Sequence, residues 1–122
     1  MLTHLRIGNL LVVEAATLEF AAGLNVLSGE TGAGKSVLLA ALALVTGARA
    51  RAEWIRPGAE RAVVEAYFAP DAALLTALRA HGFEVGDEGL LLRRELRPDG
   101  RSLASCDGFP LPTRRLRELG GL

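Results

Sequence analysis

Eight consecutive residues, Gly29 to Ser36 with the sequence GETGAGKS, constrain the fold of this chain more than any other feature. They fit the pattern G-x-x-x-x-G-K-[ST], the phosphate-binding loop of nucleoside-triphosphate-binding proteins. The glycines of such a loop allow positive φ angles and a close approach of the backbone to a ligand. Successive backbone N–H groups then point inward around a phosphate. The pattern therefore predicts a triphosphate site.

All eight residues are predicted to contact the nucleotide: Gly29, Glu30, Thr31, Gly32, Ala33, Gly34, Lys35 and Ser36. Lys35 is predicted to bind the β- and γ-phosphates as the catalytic residue, and the Ser36 hydroxyl to ligate Mg²⁺. The chain has thirteen arginines and one lysine, and that lysine is Lys35. A compact ammonium suits a tight phosphate cradle better than a planar guanidinium does. Because a carboxylate would repel the phosphates, the Glu30 side chain is expected to point outward.

The residues on either side of the loop have the pattern that such a loop requires. Residues 24–27, LNVL, predict a short buried strand, and residues 37–45, VLLAALALV, predict a helix that closes at Gly47. The helix is apolar almost all round, which predicts burial inside a sheet sandwich, and it is too short to cross a membrane. A glycine-rich turn that matches by chance would not need this strand–loop–helix context.

Size and composition predict one domain in a reducing compartment. The chain has 122 residues, half of them hydrophobic, and a formal net charge of zero, so overall charge gives no argument for nucleic-acid binding. A single cysteine, Cys106, excludes an internal disulfide. The first residues lack the pattern of a signal peptide. We therefore expect a cytoplasmic protein that does not associate with a membrane.

Hydrophobic alternation and turn residues predict the remaining elements. Strands are predicted over residues 3–7, 12–20, 62–68, 90–96 and 101–106, and helices over 72–81 and 114–119. Gly8-Asn9 predicts a break after the first strand, and Asp107-Gly108 predicts a two-residue hairpin turn. The first strands follow one another without a crossover helix, which predicts antiparallel pairing.

The order of these elements favours one class of phosphate-loop protein. Two antiparallel strands precede the loop, as in ATP-binding-cassette heads, including those of the structural-maintenance-of-chromosomes (SMC) type. Seven segments carry a closer likeness: residues 5–10, 29–36, 47–50, 55–59, 91–94, 99–102 and 116–120. Together they resemble the RecN family of bacterial SMC-like DNA-repair ATPases over essentially the whole chain. Leu10, where the family commonly has an aromatic residue, and the sequence SCDG at 105–108 depart from the family pattern.

The resemblance implies the fold class, an α/β phosphate-loop NTPase of the ABC/SMC head type. Residues 1–122 would form its N-terminal lobe, with antiparallel strands around a buried phosphate-loop helix. The implied cofactors are ATP and Mg²⁺. The implied partners are the C-terminal lobe of the same protein, a second head in an ATP-sandwiched homodimer, and DNA during double-strand-break repair and recombination at the nucleoid. Glu30 is then either a solvated acid or a contact to the second head.

Two other functions remain open at this point. One is a self-contained phosphotransferase, such as a small-molecule kinase, and the other is a DNA-binding module that needs no nucleotide. No apolar strand after the loop ends in Asp or Glu, which a self-contained enzyme would need for Mg²⁺ and for its nucleophile. We therefore expect hydrolysis to depend on the C-terminal lobe, which this chain lacks.

Several basic and isolated residues have two interpretations. Arg49, Arg51 and Arg56 follow the loop helix; in SMC-like heads this segment lies near nucleotide or DNA, and the alternative is a solvated basic loop. Two further groups are either DNA contacts or ordinary surface: Arg93, Arg94, Arg97 and Arg101 on the strands, and Arg114, Arg115 and Arg117 on the last helix. Trp54 is interpreted as a packing residue and Cys106 as an incidental thiol at a hairpin tip. His4 and His81 do not have the spacing of metal ligands.

Overall fold

The computed structural model describes residues 2–11, 13–19, 32–69, 71–83 and 89–120, with residues 32–35 and 120 described by their backbone alone. Its strands are β1 Leu2–Leu10, β2 Val13–Glu19, β3 Ala62–Phe68, β4 Leu90–Leu96, β5 Ser102–Cys106 and β6 Phe109–Pro110. Its helices are α1 Gly32–Val45, α2 Ala72–Ala80 and α3 Thr113–Gly120, with a 3-10 turn at Ala52–Trp54. The strands form one sheet in the order β2-β1-β3-β4-β5-β6, and every neighbouring pair is antiparallel.

Local chemistry explains where several elements begin and end. The Asp71 carboxylate accepts a hydrogen bond from the Leu74 N–H at 2.8 Å, which satisfies one unpaired donor at the start of α2. Asp107 and Gly108 have φ angles of 51° and 87°, as the two central residues of a type I′ turn require. The helix predicted from residue 72 and the predicted hairpin turn are both confirmed.

One face of the sheet carries the core. Alternate residues of the central strands are buried there, and α1 packs on them. This main cluster includes Leu5, Ile7, Val37, Ala41, Leu44, Val64, Ala66 and Leu96. A second cluster lies where α2 and α3 meet β4 and β5, and it includes Leu78, Leu92, Cys106 and Leu116. The opposite face is charged, with Arg6, Glu65, Arg93 and Glu95 on neighbouring strands.

The break predicted at Gly8-Asn9 is wrong, because β1 continues through both residues to Leu10. Asn9 adopts a φ of 53°, a left-handed conformation that asparagine tolerates better than most residues. The Asn9 carbonyl accepts a hydrogen bond from the Arg56 N–H at 2.8 Å, and Leu10 pairs with Ile55. The pairing of β1 with β2 keeps the same register on both sides of Asn9, with Gly8 opposite Ala15 and Leu10 opposite Val13.

The loop helix is less buried than its sequence predicts. In α1 the buried residues are spaced for one face, whereas Leu39, on the opposite side, is 59% exposed. The reason is that, within the described residues, the sheet covers α1 on one side only. The strand predicted over 24–27, and residues 12 and 20 at the ends of the second predicted strand, lie outside the described residues.

Candidate nucleotide-binding site

The structure describes only the second half of the predicted phosphate loop. Gly29, Glu30 and Thr31 lie outside the described residues, whereas α1 begins at Gly32, so that residues 32–36 form its first turn. The predicted helix after the loop is therefore confirmed, and it begins inside the motif. The Ser36 side chain is exposed to solvent. The predicted roles of the individual loop residues remain predictions.

The start of α1 has the electrostatics that an anion requires. The first N–H groups of a helix have no partner within it, and the helix dipole adds partial positive charge there. The first turn of α1 contains no acidic residue. Apolar packing holds the helix in place, because Val37, Ala41 and Leu44 are buried against the sheet. The position of this turn is therefore set by the core.

A buried arginine anchors the other end of α1. Arg94 in β4 is 1% exposed, and its Nη1 donates to the carbonyl oxygens of Leu44 and Ala48 at 2.8 and 2.9 Å. Its Nε donates to the Ser102 hydroxyl at 2.8 Å. Burial, followed by the nearby charge of Arg117, lowers the pKa of Arg94 below its usual range. A cation that caps helix carbonyls also interacts favourably with the negative end of the dipole.

Sequence reasoning missed this role of Arg94, although a signal for it was present. In a strand, residues two apart share a face, and Arg94 has the parity of Leu92 and Leu96. An arginine in the buried row of an otherwise apolar strand face needs carbonyl or carboxylate partners. The adjacent Arg93 points to the charged face, so the two do not form one surface.

The prediction that Arg94 shares one strand surface with Arg93, Arg97 and Arg101 is wrong, because Arg94 is buried on the other face of β4. The Glu95 carboxylate is surrounded by Arg61, Arg93 and Arg97, with N–O distances of 3.6, 3.3 and 2.7 Å. Glu95 is 3% exposed, and its pKa is lowered mainly by the hydrogen bond from Arg97. Arg101 pairs with Asp99 at 3.5 Å. These arginines form a charge-paired surface.

The loop after α1 contains one packed aromatic residue and two arginines with known contacts. Trp54 packs against the main core, which confirms its predicted packing role. The Arg51 guanidinium lies 5.9 Å from the centroid of the Trp54 ring and pairs with Glu53 at 3.6 Å. The Arg56 backbone N–H is bonded to Asn9. Arg51 is thus already engaged within the loop.

The three arginines of α3 differ in their surroundings. Arg115 pairs with Glu118, donates to the His81 carbonyl at 2.6 Å and lies 4.4 Å from the Phe83 ring centroid. Arg114 and Arg117 are exposed. Because Arg115 is held by the second core cluster, α3 does not present a uniform basic face.

The histidines and the cysteine have structural surroundings. His4 lies 3.8 Å from Glu19 and edge-on to Tyr67, and the His81 ring is hydrogen-bonded to the Ala77 carbonyl. In the described part of the chain, no three metal-ligating side chains come together. Cys106 is buried at the end of β5 and not at the tip of the hairpin, and burial raises its pKa to about 11.

Comparison with known proteins identifies sequence relatives and a shared fold. Residues 4–64 match the family model described as an AAA domain. The chain is 36% identical over 124 residues to the DNA repair protein RecN of Bacillus subtilis (strain 168), covering 100% of this chain and 22% of that protein. It is 41% identical over 124 residues to RecN of Vibrio cholerae, with the same two coverages. The chain thus spans about a fifth of the length of these curated relatives.

A solved structure with the same fold comes from work on ATP-driven dimerization and DNA-stimulated activation of SMC ATPases. Its TM-score is 0.77 at 22% sequence identity, over 97% of this chain and 76% of that one. The fold expected from the order of the strands is therefore confirmed. Across the described residues, no helix combines the length and apolar character needed to span a membrane.

Proposed function

Because the chain belongs to the AAA domain family and is RecN-like along its whole length, we propose that it is the ATP-binding lobe of an SMC-like DNA-repair ATPase. Its substrate is ATP with Mg²⁺, bound at residues 29–36. The process that it serves is the repair of DNA double-strand breaks and recombination, in the cytoplasm at the nucleoid.

The observation that carries this proposal is the position of α1. The helix begins at Gly32, inside the phosphate-loop motif, and its first turn has no acidic residue. The first N–H groups of a helix have no partner within it and suit phosphate oxygens, and the exposed Ser36 hydroxyl suits Mg²⁺, a cation that prefers oxygen ligands. The donor set of this turn therefore fits a magnesium–nucleotide complex.

The residues of the loop have separate roles in this proposal. Bound Mg²⁺·ATP supplies the phosphoryl group that is transferred to water. Lys35 holds the β- and γ-phosphates and stabilises the charge that develops in the transition state, while Ser36 holds the metal. The groups that activate water belong to the C-terminal lobe. Binding is thus a property of this lobe, and hydrolysis a property of the complete head.

One side of α1 is not covered by the described part of the chain, and this supports a second layer of structure. Leu39 is 59% exposed on the helix face opposite the sheet, where a large apolar side chain gains by burial. We propose that the C-terminal lobe of the full protein covers this face. ATP binding would then bring two such heads together, and hydrolysis would release them, while DNA binds to the assembled protein.

The test is ATP turnover by the full-length protein that contains this lobe. Lys35→Ala and Ser36→Ala are expected to lower turnover by about a hundredfold or more, since each removes a contact to the reacting phosphates or their metal. Thr76→Ala removes an exposed hydroxyl from α2 and is the matched control, with unchanged turnover expected. Circular dichroism verifies that each variant is folded.

Two results would contradict the proposal. Normal turnover in a folded Lys35→Ala protein would remove Lys35 from the reaction. Robust hydrolysis or phosphoryl transfer by the 122-residue chain alone would instead favour a self-contained phosphotransferase.

A further inference from the structure

A cavity lies at the C-terminal end of α1, away from the phosphate loop. Its volume is about 770 Å³, and the turn after α1, strands β4 and β5, and helix α3 line it. Residues that matter for its chemistry are Gly47, Arg49, Arg94, Ser102, Thr113 and Arg117. A helix rises 1.5 Å per residue, so the 14-residue α1 separates this cavity from the loop by roughly 20 Å. The cavity is therefore distinct from the proposed ATP site.

The charges that line this cavity have one sign. Its charged lining residues are Arg49, Arg94 and Arg117, and no aspartate or glutamate is among the described residues that line it. Seven other arginines pair with a carboxylate in the described structure: Arg6, Arg51, Arg61, Arg93, Arg97, Arg101 and Arg115. For the three cavity arginines, no such pair is found among the residues that are described. Arginines without a carboxylate partner thus converge on one space.

The surroundings of Arg94 are the strongest indication that this cavity binds an anion. Its Nε and Nη1 bind Ser102 and the helix carbonyls. No buried side-chain nitrogen or oxygen of the described residues lacks a partner, so Nη2, for which no acceptor is found among them, is open to solvent. Moving a cation out of water without a negative partner is unfavourable, and neutral acceptors compensate only part of that penalty. Arg94 and Arg117 line the same cavity, and burial, followed by the charge of Arg117, lowers the pKa of Arg94. A bound anion would relieve both effects.

Close backbone packing fixes the walls of the cavity. A Cβ on Gly47 would lie 2.3 Å from Arg117 Cγ and 2.8 Å from its backbone N, so α3 rests directly on the turn after α1. Arg94 joins the same turn to β4 through Ala48. The turn after α1, β4 and α3, which each carry one arginine of the cavity, are thus held together by direct contacts.

We propose that this arginine cavity is a phosphate-binding subsite, separate from the phosphate loop. A phosphate presents several oxygens and up to two negative charges. It therefore matches three guanidinium groups better than a single carboxylate would. The hydroxyls of Ser102 and Thr113 are further donors at its wall. The phosphate is either part of a nucleic-acid backbone or a free ion, and the two sources share this chemistry.

The experiment measures phosphate binding in a Lys35→Ala background, so that the loop does not contribute. Inorganic phosphate is titrated into the full chain, and binding is followed by calorimetry. Arg49→Gln and Arg117→Gln are each expected to weaken binding by roughly tenfold, the loss of one charge-assisted contact. Arg51→Gln, in the same loop, and Arg114→Gln, on the same helix, are matched controls with unchanged affinity, because neither residue lines the cavity. These variants leave the Arg94 anchor of α1 intact.

A second titration identifies the source of the phosphate. It uses a hydroxyl-ended DNA duplex and records affinity against salt concentration. If the backbone occupies the cavity, Arg117→Gln lowers the salt slope by about one unit and Arg114→Gln leaves it unchanged. If only inorganic phosphate responds to the variants, the source is a free ion.

Three results would overturn the subsite. One is no phosphate binding by the parent up to about 10 mM, a range that includes weak anion sites. Another is equal binding by the cavity variants and the parent, and the third is an equal loss in the controls. Because Lys35 is absent throughout, failure here leaves the proposed ATP site untouched, and failure of the ATP site leaves this result intact.

Discussion

Replacing Gly47 by alanine tests whether α3 packs directly on the turn that follows α1. Gly47 has a φ of 98°, and a Cβ added to it would lie 2.3 Å from Arg117 Cγ and 2.8 Å from Arg117 Cα. Real Cβ atoms do not approach other atoms so closely, and the Cα is backbone that moves only with its helix. Gly47→Ala must therefore shift α3 away from the turn or strain both.

The loss of folding free energy expected for Gly47→Ala has two parts. A left-handed φ costs an ordinary residue about 1–2 kcal/mol, and overpacking a tight contact costs about 1–3 kcal/mol. Gly58 supplies the control, since its φ is 88° and no atom lies within 4 Å of its added Cβ. Gly58→Ala thus includes the first cost without the second. The entropy lost from the unfolded chain is common to both variants and cancels in the comparison.

Urea unfolding, followed by circular dichroism, measures the difference. The free energy of unfolding of Gly47→Ala is expected to lie about 1–3 kcal/mol below that of Gly58→Ala, and the urea midpoint about 1 M lower. The reasoning is refuted if the two variants lower the midpoint equally, because α3 then does not rest on Gly47.

Two pH-dependent predictions follow from buried ionisable groups. Glu95→Gln is expected to lower the free energy of unfolding at pH 7 by about 1–3 kcal/mol, since three arginines lose their common carboxylate. The pKa of Glu95 is lowered in the fold, so its contribution is present above the usual glutamate range and disappears as the pH falls. Urea titrations of parent and variant should converge in acid, and a gap that persists to the lowest pH would contradict this. The pKa of Cys106 is raised to about 11, so the parent should lose stability relative to Cys106→Ala as the pH rises from 9 to 11. Parallel losses in both proteins would show that the thiol is not buried in solution.

Elements that follow from local chemistry were predictable from the sequence. β3 alternates along its length, β4 carries Arg93 and Glu95 on one face, and the bounds of both strands match the predicted ones. The Asp71 cap and the Asp107-Gly108 turn depend on the conformations of their own residues, so neighbouring sequence suffices to predict them. The motif at residues 29–36 likewise predicts its own helix, which begins at Gly32.

Features that depend on tertiary contacts were not predicted correctly. The partners of the buried Arg94 are carbonyls at residues 44 and 48, about fifty positions away in the chain. The course of β1 through Asn9 depends on a hydrogen bond from Arg56, and the exposure of Leu39 depends on which side of α1 the sheet covers. Local periodicity contains no information about such partners. The arginine cavity is of the same kind, because it exists only when α1, β4 and α3 meet.

Binding of Mg²⁺·ATP to this chain tests the central claim most directly. A ligand that binds only the folded state stabilises it by about 2.7 kcal/mol at a hundred times its dissociation constant. The melting temperature should therefore rise with Mg²⁺·ATP, and calorimetry should give one site with an affinity that falls about tenfold or more in Lys35→Ala. No rise in the melting temperature, or equal affinity in the parent and in Lys35→Ala, would contradict the assignment of residues 29–36 as the ATP site.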